Sequence, residues 1–293
     1  MKRGLTVSVA LLLGCTASEA PSVAAPPVIV FDWLRDGNRD IYRARLDGSD
    51  VVRLTSDPGD DAHPSERAGT VVFASYRDGN AELYSVPASG GAERRVTTTA
   101  ANETQPALAP DGRHIAYLSD ESGVPKLWMS AADGTNPQPL TAGFGFAGSI
   151  EASPSWAPSG DRLVFVSTAA GDAGLFQLVI GTGTITALVQ DSTPNVEPAW
   201  SPDGRRIAFA SERNGVTHLY ILDLASRAVT ALGGGSGGGT HGEPAWVSDS
   251  RLVYVDWRSG VPQLFWLDPA APDAAHAIDV GPGAPGHPKG VAG

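Results

Sequence analysis

Six prolines, Pro64, Pro106, Pro154, Pro198, Pro244 and Pro288, recur along the 293-residue chain, and the residues just ahead of them are the best suited to chemistry. One position before each stand His63, Gln105, Ser153, Glu197, Glu243 and His287; three positions before stand Asp61, Glu103, Glu151, Asn195, His241 and Pro285. If each proline marks the same strand of a repeated unit, residues one and three before it share a face, because extended side chains alternate. His63, Glu103, Gln105, Glu151, Glu197, His241, Glu243 and His287 are then the candidate partner-binding residues. Glu197, Glu243, His287 and His63 come from four consecutive units and form an arc. An arc rich in acceptors suits the amide and cationic groups of an extended peptide. The same two imidazoles and two carboxylates could instead hold zinc or manganese and serve a hydrolase or lyase. Ser153 and Pro285 leave such a ring incomplete and no residue stands out as a required base, so no catalytic residue, metal or cofactor is assigned.

Other patterns that resemble sites reduce to turns. Asp111 and Asp203 sit in Pro-Asp-Gly, where Asp supplies local turn hydrogen bonds and Gly supplies positive φ. Gly234-Gly235-Ser236-Gly237-Gly238 matches a nucleophile elbow by letter, but it lies in a glycine run with no strand-to-helix transition. Asp36, Asn38 and Asp40, like Asp78, Asn80 and Glu82, suggest a calcium loop until the sixth position, where Ile41 and Leu83 replace the required glycine. His114, His218 and His276 have no serine-acid pattern nearby and read as surface or packed histidines.

The elements that would position the arc come from a second repeat. Phe31, Phe73, Tyr117, Phe165, Phe209 and Tyr254 are each followed six residues later by glycine (Gly37, Gly79, Gly123, Gly171, Gly215, Gly260). Five residues beyond each glycine comes a second aromatic: Tyr42, Tyr84, Trp128, Phe176, Tyr220 and Phe265. Successive first aromatics lie 42, 44, 48, 44 and 45 residues apart, the period of a four-stranded propeller blade. In the fifth unit, Pro198 to Ser201 reads as the innermost strand, Pro202 to Gly204 as a turn, and the next strand runs through Phe209. His218 to Leu224 and Ala228 to Leu232 complete that blade. Trp156, Trp200 and Trp246 read as inter-blade core.

The sequence therefore predicts an all-β, six-bladed β-propeller of four-stranded blades over residues 28–293. Pro288 has no blade after it, and the unit beginning at Val28 has no inner strand before it. Pro288 to Ala292 is thus expected to close the first blade and remove two sheet edges. Lys289-Gly290-Val291 carries no counterpart of the three tryptophans, so this closing strand is expected to be short. The formal net charge of −11 repels nucleic acid and anionic lipid headgroups.

Ahead of the propeller, Met1-Lys2-Arg3 precedes a mostly apolar run from Leu5 to Leu13, too short to span a bilayer. Leu12-Leu13-Gly14-Cys15 resembles the lipobox of bacterial lipoproteins. It implies a leader over residues 1–14, lipidation of Cys15, the only cysteine, and a tether over residues 15–27 rich in Ala, Ser and Pro. Thr16 in place of Asp points to the outer membrane, facing the periplasm. The Gly233 to Gly239 loop, between the fifth and sixth blades, is expected to move over the binding face.

Trp200-Ser201-Pro202-Asp203-Gly204-Arg205-Arg206-Ile207-Ala208-Phe209-Ala210-Ser211 and Arg77-Asp78-Gly79-Asn80-Ala81-Glu82-Leu83-Tyr84 resemble the propeller repeats of the TolB family. The resemblance covers about 28–288 and leaves no counterpart of the α/β domain that precedes the propeller in TolB, a soluble periplasmic protein that joins the Tol-Pal envelope system by protein contacts. It implies a non-catalytic, monomeric scaffold whose open face binds an envelope protein or peptide, with a lipid anchor as its contact with the membrane. Some oligogalacturonide lyases are similar propellers with an axial metal, which is the family-level precedent for the metalloenzyme alternative.

Overall fold

Each aromatic-glycine-aromatic unit is a β-hairpin whose two aromatics are directly opposite one another. The computed structural model, which describes residues 27–213, 215–233 and 240–291, pairs Phe31 with Tyr42, Phe73 with Tyr84, Tyr117 with Trp128, Phe165 with Phe176, Phe209 with Tyr220 and Tyr254 with Phe265. An eleven-position spacing between partners leaves the glycine at the turn, where φ is positive in all six, from 75° to 110°. Only glycine adopts that conformation without steric cost. In five of the six hairpins the paired rings lie 5.8–6.2 Å apart, near parallel to moderately tilted.

Adding an inner and an outer strand to each hairpin gives six antiparallel four-stranded sheets, and every regular element among the described residues is a strand. Blades two to six run in chain order from the inside outward; their inner strands are Asp61–Arg67, Glu103–Leu108, Glu151–Trp156, Asn195–Trp200 and His241–Ser248. The first blade takes its inner strand from the other end of the chain, where Ala284–Gly290 pairs antiparallel with Val28–Arg35. Carboxy-terminal closure is therefore as the prolines predict, but the closing strand is not short: it has seven residues. Gly290 stands where Trp156, Trp200 and Trp246 stand in three other blades. A Cβ at Gly290 would lie 2.3 Å from the Trp246 carbonyl oxygen, so the last strand docks too closely on the sixth blade for any side chain there.

The apolar core is divided into six layers, one at each blade-to-blade interface. Ile29, Phe31 and Trp33 pack against Val253, Val255 and Leu264 of the sixth blade, whereas Val30 and Ile41 pack against Val71 and Phe73 of the second. Corresponding clusters join blades two and three, three and four, four and five, and five and six. Both faces of each hairpin are buried, so its strands alternate between two interfaces. Trp156 and Trp246 are core, as predicted, and each indole N–H donates to a carbonyl of the preceding blade, at 2.9 Å to Ala107 and 3.1 Å to Ala199. The predicted leader, Cys15, the tether up to residue 26 and residues 234–239 of the glycine loop lie outside the described residues.

Candidate functional site: an axial funnel

Every inner strand carries one residue in the left-handed region, and in every blade it is the residue before the proline. His63, Gln105, Ser153, Glu197, Glu243 and His287 have φ between 45° and 54°. Each sits in a bulge. In the second blade Ala62 pairs with Ala74 and Ser65 with Val72, so two residues of the inner strand oppose one of its neighbour, and blades three to six repeat this. In the first blade the register shifts between Val30 and Asp32, opposite the segment holding His287. Proline fits here because a bulge on the strand nearest the axis has no ladder bond for its missing N–H to break.

The bulges overturn the shared-face expectation. Left-handed residues interrupt the two-residue alternation, so positions one and three before proline separate. The six residues one before proline line a cavity on the axis, walled also by Pro106, Pro154, Pro198, Pro244, Pro288 and Lys289, with about 90 Å³ open to the centres of water-sized molecules. Those three before are buried in the blades. Asp61 receives two hydrogen bonds from Arg77, at 3.0 and 3.1 Å. Glu103 accepts from Thr99 and Ser119, and Glu151 from Lys126 and the Leu127 N–H. His241 faces Asp256 at 3.4 Å, and its Nδ1 lies 3.3 Å from Nδ1 of His218. Of the eight predicted site residues the funnel gathers His63, Gln105, Glu197, Glu243 and His287; Glu103, Glu151 and His241 belong to the blade interiors.

Three of the funnel side chains are tied to the backbone of the next blade. Gln105 Oε1 accepts the Ser153 N–H at 2.6 Å, Glu197 Oε2 accepts the Glu243 N–H at 2.6 Å, and Glu243 Oε2 accepts the His287 N–H. Asp32 Oδ2 continues the relay by accepting the His63 N–H at 3.1 Å. The residue two before proline narrows to glycine where these acids pass: a Cβ at Gly242 would meet Glu197 Oε2 at 2.9 Å.

Asp32 is a functional-site residue that the sequence reading missed. The position after the first aromatic is Ala74, Leu118, Val166, Ala210 or Val255 in the other blades, so the signal was an acid breaking an apolar series. Fully buried, it accepts from Arg39 and, at 2.6 Å, from His287 Nδ1. Burial would push its carboxyl up, but the hydrogen bond and charge of His287 outweigh that and hold it below its ordinary value. For His287 burial works downward, yet Asp32, with Glu243 Oε1 3.6 Å from the other ring nitrogen, holds the imidazole above its ordinary value. His63, its ring 4.0 Å from that of His287, is pushed down to about 3, first by burial and then by the His287 charge. The two adjacent imidazoles are thus pushed in opposite directions, His287 toward its charged form and His63 toward its neutral one. Both nitrogens of His287 face carboxylates, and among the described residues no group of three or more His, Cys, Asp or Glu is placed to hold a metal ion. The arc therefore does not fit the zinc or manganese site considered for it.

A closed ring of six four-stranded blades with a polar funnel on its axis defines a six-bladed β-propeller. The family model described as the TolB beta propeller domain matches residues 17–124, 67–177 and 126–277, and the chain belongs to that family. Among solved structures, TolB from Acinetobacter baumannii is similar at a TM-score of 0.78 and 17% identity, over 90% of this chain; the chain spans 66% of that protein's length. A putative TolB from Agrobacterium tumefaciens is similar at 0.68 and 17% identity, covering 86% of this chain and 88% of its own. Oligogalacturonate lyase from Vibrio parahaemolyticus is similar at 0.58 and 15% identity, over 88% of this chain and 75% of its own. At these identities the likeness is one of fold. No curated protein matches the chain.

Proposed function

We propose that this chain is a binding scaffold of the bacterial cell envelope that recognises an envelope protein or peptide at the funnel face. The observation that carries the reading is the convergence of six left-handed residues, one per blade, on a single cavity in which the Gln105, Glu197 and Glu243 side chains are fixed by inter-blade hydrogen bonds. A surface held this way loses little conformational freedom on binding. Membership of the TolB propeller family supports a binding role, and Leu12-Leu13-Gly14-Cys15 supports export and lipid anchorage through Cys15, with residues 16–27 as tether and the propeller, as a monomer, facing the periplasm. In this reading the funnel recognises and holds its partner, and the cavity supplies acceptors to backbone amide and cationic groups.

The test is site-specific photocrosslinking in intact cells with a photoreactive amino acid at Ser153 in the funnel or at Val229, an exposed residue of the fifth blade's outermost strand. A defined protein adduct formed from Ser153, absent from Val229 and competed by excess unmodified propeller, is the expected result. Equal adducts from both positions, or adducts only from Val229, would move the recognition surface away from the axis.

A further inference from the structure

In five blades the residue after the inner-strand proline is Ser65, Ala107, Ser155, Ala199 or Ala245; in the first blade it is Lys289. A lysine thus takes the place of a small residue on the innermost strand. It lines the funnel cavity and also a second cavity of about 90 Å³ on the far side, bordered by Trp156, Trp200 and Trp246.

The chain has one other lysine among its described residues, and the contrast between the two is informative. Lys126 Nζ is satisfied by the Phe144 carbonyl at 3.1 Å, Ser149 Oγ at 3.1 Å and Glu151 Oε1 at 3.3 Å. The Lys289 Nζ makes no hydrogen bond and no ion pair within 4.0 Å among the described residues. The carboxylates whose charges act on it, Glu243 and Glu197, are turned to the N–H groups of His287 and Glu243. Burial holds the Lys289 amine below its ordinary value, as expected of an enclosed cation short of an anion. Across the cavity, the Gln105 amide nitrogen and the Ser153 hydroxyl donate to no protein acceptor among the described residues, whereas Glu197 Oε1 is an acceptor without a protein donor there.

We propose that the axial cavity binds a carboxylate, with Lys289 as its anchor and Gln105 and Ser153 as supporting donors. The free carboxy terminus of a peptide fits best, because its last amide N–H lies beside its carboxylate and can serve Glu197 while the proline walls take the side chain. This proposal rests on the funnel being the recognition surface and adds the chemical group that enters it.

The full-length chain, labelled with ¹⁵N-lysine, gives side-chain signals from only Lys2, Lys126 and Lys289. It is titrated with acetyl-Gly-Ala, with acetyl-Gly-Ala amide and with acetate. The expected result is a saturable shift of the Lys289 signal with acetyl-Gly-Ala, none with the amide, and an unmoved Lys126; Lys289→Met should weaken binding by about ten-fold or more. Acetate matching acetyl-Gly-Ala would support the carboxylate site but assign it to small acids. Equal binding of acid and amide with a silent Lys289 would overturn the proposal and leave the funnel reading intact. No shift from any of the three would also overturn it, while adducts from Ser153 would decide the funnel reading separately. The acid-amide comparison needs no variant, so it stands even if Lys289→Met folds poorly.

Discussion

Glu82 and Glu103 meet where the second blade packs on the third, close enough for the Glu82 charge to act on Glu103. Each commits Oε1 to donors, Arg95 and the Thr99 N–H for Glu82, the Thr99 and Ser119 hydroxyls for Glu103. The remaining oxygens, Glu82 Oε2 and Glu103 Oε2, are buried without a donor from elsewhere in the described residues. Burial, followed by the Glu82 charge, pushes the Glu103 carboxyl up to about 7. Because the folded protein keeps a proton that the unfolded chain releases near the ordinary carboxyl value of 4.5, stability is fully present below that value. It is lost as pH rises toward 7. Glu103→Gln, neutral at every pH, is expected to melt close to wild type at pH 5 and above it at pH 8, by on the order of 2 kcal/mol or roughly 5 °C. Parallel pH profiles of melting temperature for the two proteins would show that Glu103 holds no extra proton in the folded state. Lys289 and Asp32 express the same rule in the funnel: a charged residue where the repeat is small or apolar marks the place where blade one differs from the rest.

At the scale of the strand, the bulge decides which residues meet on the axis. A left-handed residue other than glycine costs roughly 1–2 kcal/mol, and the chain accepts that cost six times because the bulge turns one side chain per blade into the funnel. Ser153 and Glu197 separate the strain from its compensation. The Ser153 side chain makes no hydrogen bond among the described residues, whereas Glu197 holds the Glu243 N–H. Ser153→Gly is therefore expected to raise the urea midpoint, by about 1 kcal/mol in stability, and Glu197→Gly to end about 1–3 kcal/mol below it through the unsatisfied N–H. Equal stability of the two variants would show that the relay bonds contribute nothing. Hairpins and blade order were legible in the sequence because Phe31, Gly37 and Tyr42, and their five counterparts, report pairing and turn directly. The bulge was not. Left-handed backbone is ordinarily announced by glycine or asparagine, and a residue before proline ordinarily extends, but His63, Gln105, Ser153, Glu197, Glu243 and His287 share no such composition. Strict alternation then placed Glu103, Glu151 and His241 in the funnel, although a single extra residue per strand sends them into the blades.

For the whole molecule, stability depends on closing the ring, because its core exists only as layers between neighbouring blades. Ile29 and Val30 are fully buried, and they lie opposite Gly290 and Lys289 in the closing strand, with the Val291 N–H donating to the Val28 carbonyl at 3.0 Å. Removing residues 288–293 would strip these ladder bonds and expose the inner edge of the first blade. It would also uncover the close contact between Gly290 and the sixth blade, so two of the six interfaces lose a wall at once. The loss of several ladder hydrogen bonds together with buried apolar surface is expected to lower the melting temperature by at least about 10 °C. The bared strand edge gives a second signature, since unpaired N–H and C=O groups recruit another chain. Scanning calorimetry across a range of protein concentrations distinguishes the two consequences: the lower melt should persist on dilution, while edge-to-edge association should fade. A truncated chain that melts at the wild-type temperature would mean that the six blades hold together as an open ring, and that the pairing of Ala284–Gly290 with Val28–Arg35 is dispensable for the fold.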